Sequence, residues 1–442
     1  MQVLAVWGQR AQALWMSPRA WAFAGALCTR GAGFIASFSL ARYAGPTVLA
    51  LYISTVITLS AVTLPLAQVL FNGGLMASTR APSRDWARQL LQANALLAML
   101  CLIPLAGVAA LMHGEIATRL LDELNGSWWA FLIGAFSCGA GQVVLFLLNG
   151  SLNGLGAQLQ AARTVAIVAV VMMAVSYPVV RVWGLNGAWA VLTLNTWLPA
   201  VLLWRLHRKH LKSGWHEPSV EHSIASSSIA SPWQTATAEA RRGVPQAGAV
   251  MATNVVGWFC SIYLVQETLG VQAMAVLAVA NQWLTLSLMP ATSWGGLILK
   301  EMADLSLTPQ GRRQLAAAVR DQIIRNVSVT LLVAGGVVLA SPWLASAYRL
   351  DGLGLTTLIA VSALAALFMS ATIVVQNSLI SLNKQWEWMV CAFVGLGGQA
   401  LCTWLGVAHG VWTVQVGLLI SALVSGLLAL LWAWRERWWL QG

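Results

Sequence analysis

The chain has 442 residues, of which 58% are hydrophobic and 9% charged, and its formal net charge is +11. Ordinary soluble domains carry about 25% charged residues, so this composition excludes a soluble globular protein and indicates a polytopic membrane protein. The positive charge does not imply nucleic acid as a partner, because the basic residues lie mostly in links between apolar runs, where membrane topology accounts for them.

Taken in chain order, residues 1–17 carry Val3, Trp7 and Leu14 at helical spacing, the pattern of an interfacial helix lying on the membrane. The first long apolar run lacks a small-residue cleavage pattern and reads as a retained span. About twelve spans are predicted, at 20–44, 46–70, 88–113, 127–150, 161–183, 184–206, 245–268, 271–299, 322–347, 354–380, 387–409 and 410–434. Each is long enough to cross a hydrocarbon core of about 30 Å. The expected domains are an N-terminal six-helix lobe (1–206), a flexible cytoplasmic linker (207–244) and a C-terminal six-helix lobe (245–442). The linker opens on His207-Arg208-Lys209-His210, passes through the Ser-rich stretch 223–231 and closes on Arg241-Arg242, a polar composition suited to flexibility. Its histidines, His207, His210, His216 and His222, fit no compact ligand spacing, so no metal is expected. The six cysteines, Cys28, Cys101, Cys138, Cys260, Cys391 and Cys402, all fall inside spans and read as small core residues.

The links divide sharply by charge. Those on the side of the termini hold nineteen lysines and arginines, and those on the other side only Arg42, Arg119, Arg181 and Arg349. This positive-inside bias places both termini in the cytoplasm. The links at 71–87 and 300–320 are basic and moderately amphipathic, as expected of segments lying near anionic headgroups. The outer links are short and leave no room for a catalytic domain.

The two halves repeat. Gly45 and Pro65 match Gly270 and Pro290, each 225 residues on, and Arg30, Gly33 and Ser37 match Asn254, Gly257 and Ser261, each 224 on. Ser151, Leu152, Leu155 and Gln158 match Ser378, Leu379, Leu382 and Gln385, each 227 on. Six spans per half make the repeats parallel, an arrangement typical of transporters with the substrate path between the halves. The expected fold is therefore an all-α polytopic membrane protein, two parallel six-helix repeats around a central cavity.

Arg30 lies about ten residues into the first span, where an arginine costs at least ~2.5 kcal/mol. Gly33, Ser37 and Ala41 follow at i+3, i+7 and i+11 and share its face. Two readings stand: an arginine tied to carbonyls at a helix contact, or a cavity cation that meets an anionic substrate, the default for an intramembrane charge. Asn254 is its neutral counterpart, and Gln68, Gln142, Asn281 and Gln282 add amides at membrane depth. Each amide suits either sugar hydroxyls or interhelical hydrogen bonding. Arg163, at the start of span 5, is either interfacial or at a cavity mouth, and Arg42 reads as a snorkelling residue. The candidate substrate-binding set is Arg30, Arg163, Gln142, Asn254, Asn281 and Gln68, with no catalytic residue, metal ligand or cofactor site.

No Asp or Glu occupies the middle of a span, with Glu267 and Glu387 at span ends, which argues against a cation-coupled antiporter. No phosphate loop, paired carboxylates or Ser/His/Asp arrangement is present, which argues against an ATPase or hydrolase. Of the 24 tryptophans, Trp128-Trp129, Trp183, Trp386, Trp388 and Trp438-Trp439 fit an interfacial belt. Trp258, Trp283 and Trp294 lie deeper, placed for core packing or for stacking on sugar rings.

The stretch Leu40-Ala41-Arg42-Tyr43-Ala44-Gly45-Pro46, followed by Leu51-Tyr52, resembles the start of polysaccharide flippases of the multidrug/oligosaccharidyl-lipid/polysaccharide exporter superfamily. The six-plus-six layout and the central linker fit that family too. The second copy departs from the motif: Gln266-Glu267-Thr268-Leu269-Gly270 has neither the arginine nor the proline. The resemblance implies a non-enzymatic flippase of the cell inner membrane that moves an undecaprenyl-pyrophosphate-linked oligosaccharide to the periplasmic leaflet for polysaccharide export. Lipid-linked oligosaccharide and membrane lipids are then its partners, with a polysaccharide polymerase or other export components beside them. A drug or metabolite antiporter of the same superfamily, or a membrane glycan polymerase or ligase, are the alternatives.

Overall fold

The computed structural model describes residues 17–78, 83–123, 128–213, 231–306, 309–348, 350, 354–382 and 384–435. The interfacial helix expected over 1–17, apart from Ser17, lies outside them, as do His216, His222 and Trp438-Trp439. Among the described residues there is no strand. The first half comprises α1 (Pro18–Tyr43), α2 (Pro46–Ser78), α3 (Arg84–Glu123), α4 (Trp128–Gly154) and α5 (Gln158–Ser213). The second comprises α6 (Pro232–Trp258), a π-helical turn (Phe259–Leu264), α7 (Val265–Ser287), α8 (Met289–Ser306), α9 (Pro309–Ala347), α10 (Leu355–Ser381), α11 (Gln385–Gly406) and α12 (Trp412–Arg435).

Local chemistry sets the helix starts. Ser17 caps α1 by accepting from the Ala20 amide, with Pro18 in the first turn. At α6, Ser231 and Gln234 form a reciprocal capping box ahead of Pro232. Among the described residues, seven helices are long and apolar enough to cross a membrane, nine when each of two bent pairs counts as one span. One of the seven, Gln158–Lys212, has 55 residues and about 80 Å of helical rise, more than twice a single crossing. It breaks at Gly184, whose φ of 53° and ψ of −128° are not helical, giving two arms. Span 7 likewise runs through α6 and the π turn into α7 and ends at Gly270, where the chain turns back.

The duplication is present in the backbone. Gly45 (φ 93°) and Gly270 (φ 84°), matched in sequence, both make the turn from the first to the second span of their half. Left-handed φ values favour glycine at these turns. Gly184 and Gly410 (φ 133°) make the turn from fifth to sixth span in each half. The second span of each half is also bent, by 41° between Leu51–Ser60 and Thr63–Leu75, and by 44° between Gln272–Ser287 and Met289–Leu299. Pro65 and Pro290 account for both bends, since a proline lacks the amide donor and crowds the carbonyl four residues back.

Small residues let the helices approach. Gly150 of α4 lies directly on the Phe71 backbone of α2, and a Cβ at Gly395 of α11 would stand 2.6 Å from the Ser421 carbonyl oxygen of α12. Ala32, Ala36 and Leu40 of α1 pack with Val168 and Met172 of α5 in the lobe 1 core. The hydrophilic stretch expected to be flexible over 207–244 is helical at both ends, because α5 runs on to Ser213 and α6 begins at Pro232. Buried His207 joins Ser151 at 3.1 Å, which meets Ser78 at 3.3 Å, so a polar chain ties α5, α4 and α2 at the linker end.

Candidate functional site: the seam between the lobes

The lobes meet along α1, α2 and α3 on one side and α6, α7 and α8 on the other. At the linker end, Asn72 donates to Gln246 at 2.8 Å, Gly243 sits under Val69, and the Phe71 ring rests on Gly296. Ala236 of α6 is buried with Ala77, Leu90 and Ala93 of lobe 1. At mid-depth, Trp258 donates to Thr58 at 3.0 Å, Gln282 donates to Ser37 at 2.7 Å, and Phe34 stacks on Trp283 at 5.1 Å. Toward the far end Phe38 meets Tyr348 edge-on at 5.8 Å. Beside it a small pocket, with room for about one water, is lined by Ile53, Ile57, Ser261, Met274, Leu277 and Asn281 among others.

Arg30 precedes Phe34 and Phe38 by one and two turns, so the helical repeat puts it on the face that α1 turns to lobe 2. It is half-buried, and among the described residues it has neither an ion pair nor a hydrogen bond. Gly33 and its counterpart Gly257 both face open space, with no heavy atom within 4 Å of an added Cβ. Gln68 and Asn254 lie between the Asn72–Gln246 and Thr58–Trp258 bridges, where α2 runs against α6. Gln68 is half-buried, and the Asn254 amide nitrogen is buried without a hydrogen-bond partner. The Gln282 carbonyl oxygen and the Trp283 ring nitrogen are orphaned as well. Unsatisfied buried polar atoms are costly, so each marks a place where water or a ligand can complete the bonding; others, on Asn326, Gln399 and Thr403, lie within lobe 2.

The other three sequence candidates sit differently. The Gln142 carbonyl accepts from Thr63 at 3.0 Å, a bond between α4 and α2 inside lobe 1. Arg163 is also internal to lobe 1, its guanidinium 5.6 Å over the Trp21 ring of α1. Asn281 accepts from Gln415 at 2.7 Å inside lobe 2 while also lining the small seam pocket. The structure thus brings Arg30, Gln68 and Asn254 to the seam, with Asn281 at its edge, and leaves Gln142 and Arg163 within lobe 1. Residues that the sequence did not mark, Phe34, Thr58, Asn72 and Gln246, take part in three of the inter-lobe contacts. Trp258 and Trp283 pack at the seam, and Trp294 packs in lobe 2 among Ile298, Met302 and Val319.

Solved structures share this architecture. A multidrug-resistance MATE-family transporter of the MOP superfamily, in an inward-facing conformation, aligns at a TM-score of 0.67 with 14% identity over 92% of this chain and 94% of its own. A MOP-superfamily transporter from Pyrococcus furiosus, described as having a binding pocket of reverse polarity that suggests a different function, aligns at 0.69 with 14% identity over 96% and 97%. A mutant MATE transporter from Vibrio cholerae aligns at 0.68 with 13% identity over 96% of each chain. No protein-family model and no curated protein matches the chain. At these identities the likeness establishes the fold, that of a MATE-like transporter with two repeated halves.

Proposed function

We propose that this chain is a flippase that carries an undecaprenyl-pyrophosphate-linked oligosaccharide across the inner membrane by alternating access. The observation that supports it most is Arg30, a seam cation at membrane depth with no partner among the described residues. Along the same seam, lobe 2 offers amides, Asn254 and Gln282, and no carboxylate at mid-span. A cation beside neutral donors and acceptors suits a pyrophosphate joined to a glycan better than an organic cation, which an acid would stabilise.

In this reading the linker end is cytoplasmic, as the charge asymmetry of the links implies. Rocking of the lobes parts the Asn72–Gln246 contact while the far-end contacts hold, then reverses. The pyrophosphate meets Arg30, the sugars meet Gln68, Asn254 and Asn281, and the lipid tail stays in the bilayer through a lateral opening between the lobes. Gln142 and Arg163 act from within lobe 1, by bracing α2 and α1. A drug or metabolite antiporter is the second reading, favoured by the MATE neighbours.

A strain lacking the chain is expected to accumulate lipid-linked repeat units on the cytoplasmic side. Arg30→Lys is expected to restore part of the export and Arg30→Ala little of it. Wild-type export by Arg30→Ala at matched expression would overturn the role of Arg30. Lost efflux of organic cations with undisturbed glycan export would favour the antiporter.

A further inference from the structure

At the far end of lobe 1, away from the seam, two arginines and two tyrosines converge. Arg42 and Tyr43 are the last two residues of α1, and Tyr177 and Arg181 lie one turn apart on the first arm of α5. The two phenol oxygens are 2.6 Å apart, and the Arg181 guanidinium stands 5.9 Å over the Tyr43 ring. Both arginines are within electrostatic reach of both hydroxyls. All four side chains are exposed. Neither arginine has a carboxylate partner among the described residues.

A helix C-terminus favours one nearby cation, which accounts for Arg42 in the last turn of α1. It does not account for Arg181, or for a phenol pair held beside both. One O–H of that pair is used in the mutual bond, which leaves a second proton free to donate. The cluster therefore offers two guanidinium forks and a hydroxyl donor with no acid to compete. Val182 and Trp183 follow directly, 73% and 62% exposed, as an apolar rim of the kind found where headgroups meet acyl chains. In the second half the positions matching Arg42 and Tyr43 are Gln266 and Glu267, so the cationic cluster is particular to lobe 1.

We propose that Arg42, Tyr43, Tyr177 and Arg181 form a binding site for a phosphate group at the headgroup level of the leaflet opposite the linker. Two guanidinium forks match the tetrahedral oxygens of a phosphate, and the free phenol proton adds a third donor. The inference stands apart from the transport reading, since it concerns equilibrium binding on the outside of lobe 1.

The test uses the full chain in phosphatidylcholine nanodiscs. One arm adds phosphatidylglycerol and reads lipid retention by native mass spectrometry; the other adds inorganic pyrophosphate and reads its displacement of that lipid. Retention of phosphatidylglycerol over phosphatidylcholine is expected. R42Q/R181Q is expected to weaken it about twenty-five-fold, at about fivefold per arginine, and Tyr177→Phe to weaken it less. R181Q alone, which leaves the α1 end intact, serves if the double variant does not fold. Displacement by pyrophosphate would identify a site open to free phosphates; retention without displacement would identify a lipid headgroup site. Unchanged retention and displacement in the arginine variants would overturn the proposal.

Discussion

Arg30 and Gln142 are both polar residues at membrane depth, and their surroundings separate them. Gln142 is bonded to Thr63 across α4 and α2, whereas Arg30 has no such partner among the described residues. A membrane interhelical hydrogen bond averages about 0.6 kcal/mol. Thr63→Val is therefore expected to lower stability by about that amount in a detergent unfolding titration and to leave translocation near wild type. Arg30→Ala is expected to do the reverse, with an unchanged unfolding midpoint and little translocation. Sequence alone marks both residues as deep and polar. It does not distinguish them, because the partner of Gln142 is 79 residues away and that of Asn281, Gln415, is 134 away. Arg163 is ambiguous in the same way until Trp21 is seen beneath it.

The turns and bends of the helices are the part of the fold most legible in sequence. Glycine and proline impose backbone geometry locally, so the matched pairs Gly45/Gly270 and Pro65/Pro290 reappear as paired turns and paired bends. Gly45→Val and Gly270→Val are each expected to cost about 1–3 kcal/mol. No heavy atom lies within 4 Å of either added Cβ, so backbone strain and not crowding sets that cost, readable as a lowered thermal midpoint. Pro65→Ala and Pro290→Ala restore an amide donor at the bends and are expected to straighten the second spans and slow translocation. The π turn at Phe259–Leu264 and the helical ends of the 207–244 stretch were not legible. Ser231, Pro232 and Gln234 carry a helix-start signature, but the polar, Ser-rich composition beside them reads as a flexible linker, and nothing in the sequence marks a π turn.

For the whole molecule, the duplication produces a symmetric scaffold with an asymmetric seam: Arg30 in one half, Asn254 in the other. Alternating access requires the linker-end bridge to part in each cycle. Asn72→Cys with Gln246→Cys, at a contact where the native side chains meet at 2.8 Å, is expected to stop translocation when bridged by a reducible bifunctional thiol reagent, and to recover on reduction. Continued turnover in the bridged pair would mean that the lobes do not separate there. The central claim is tested most directly in proteoliposomes holding the full chain and an undecaprenyl-pyrophosphate oligosaccharide, with the leaflet position of the glycan read by an impermeant probe. The account predicts translocation by the wild type and its loss in Arg30→Ala. Equal translocation by both, or organic-cation transport with no movement of the glycan lipid, would contradict it.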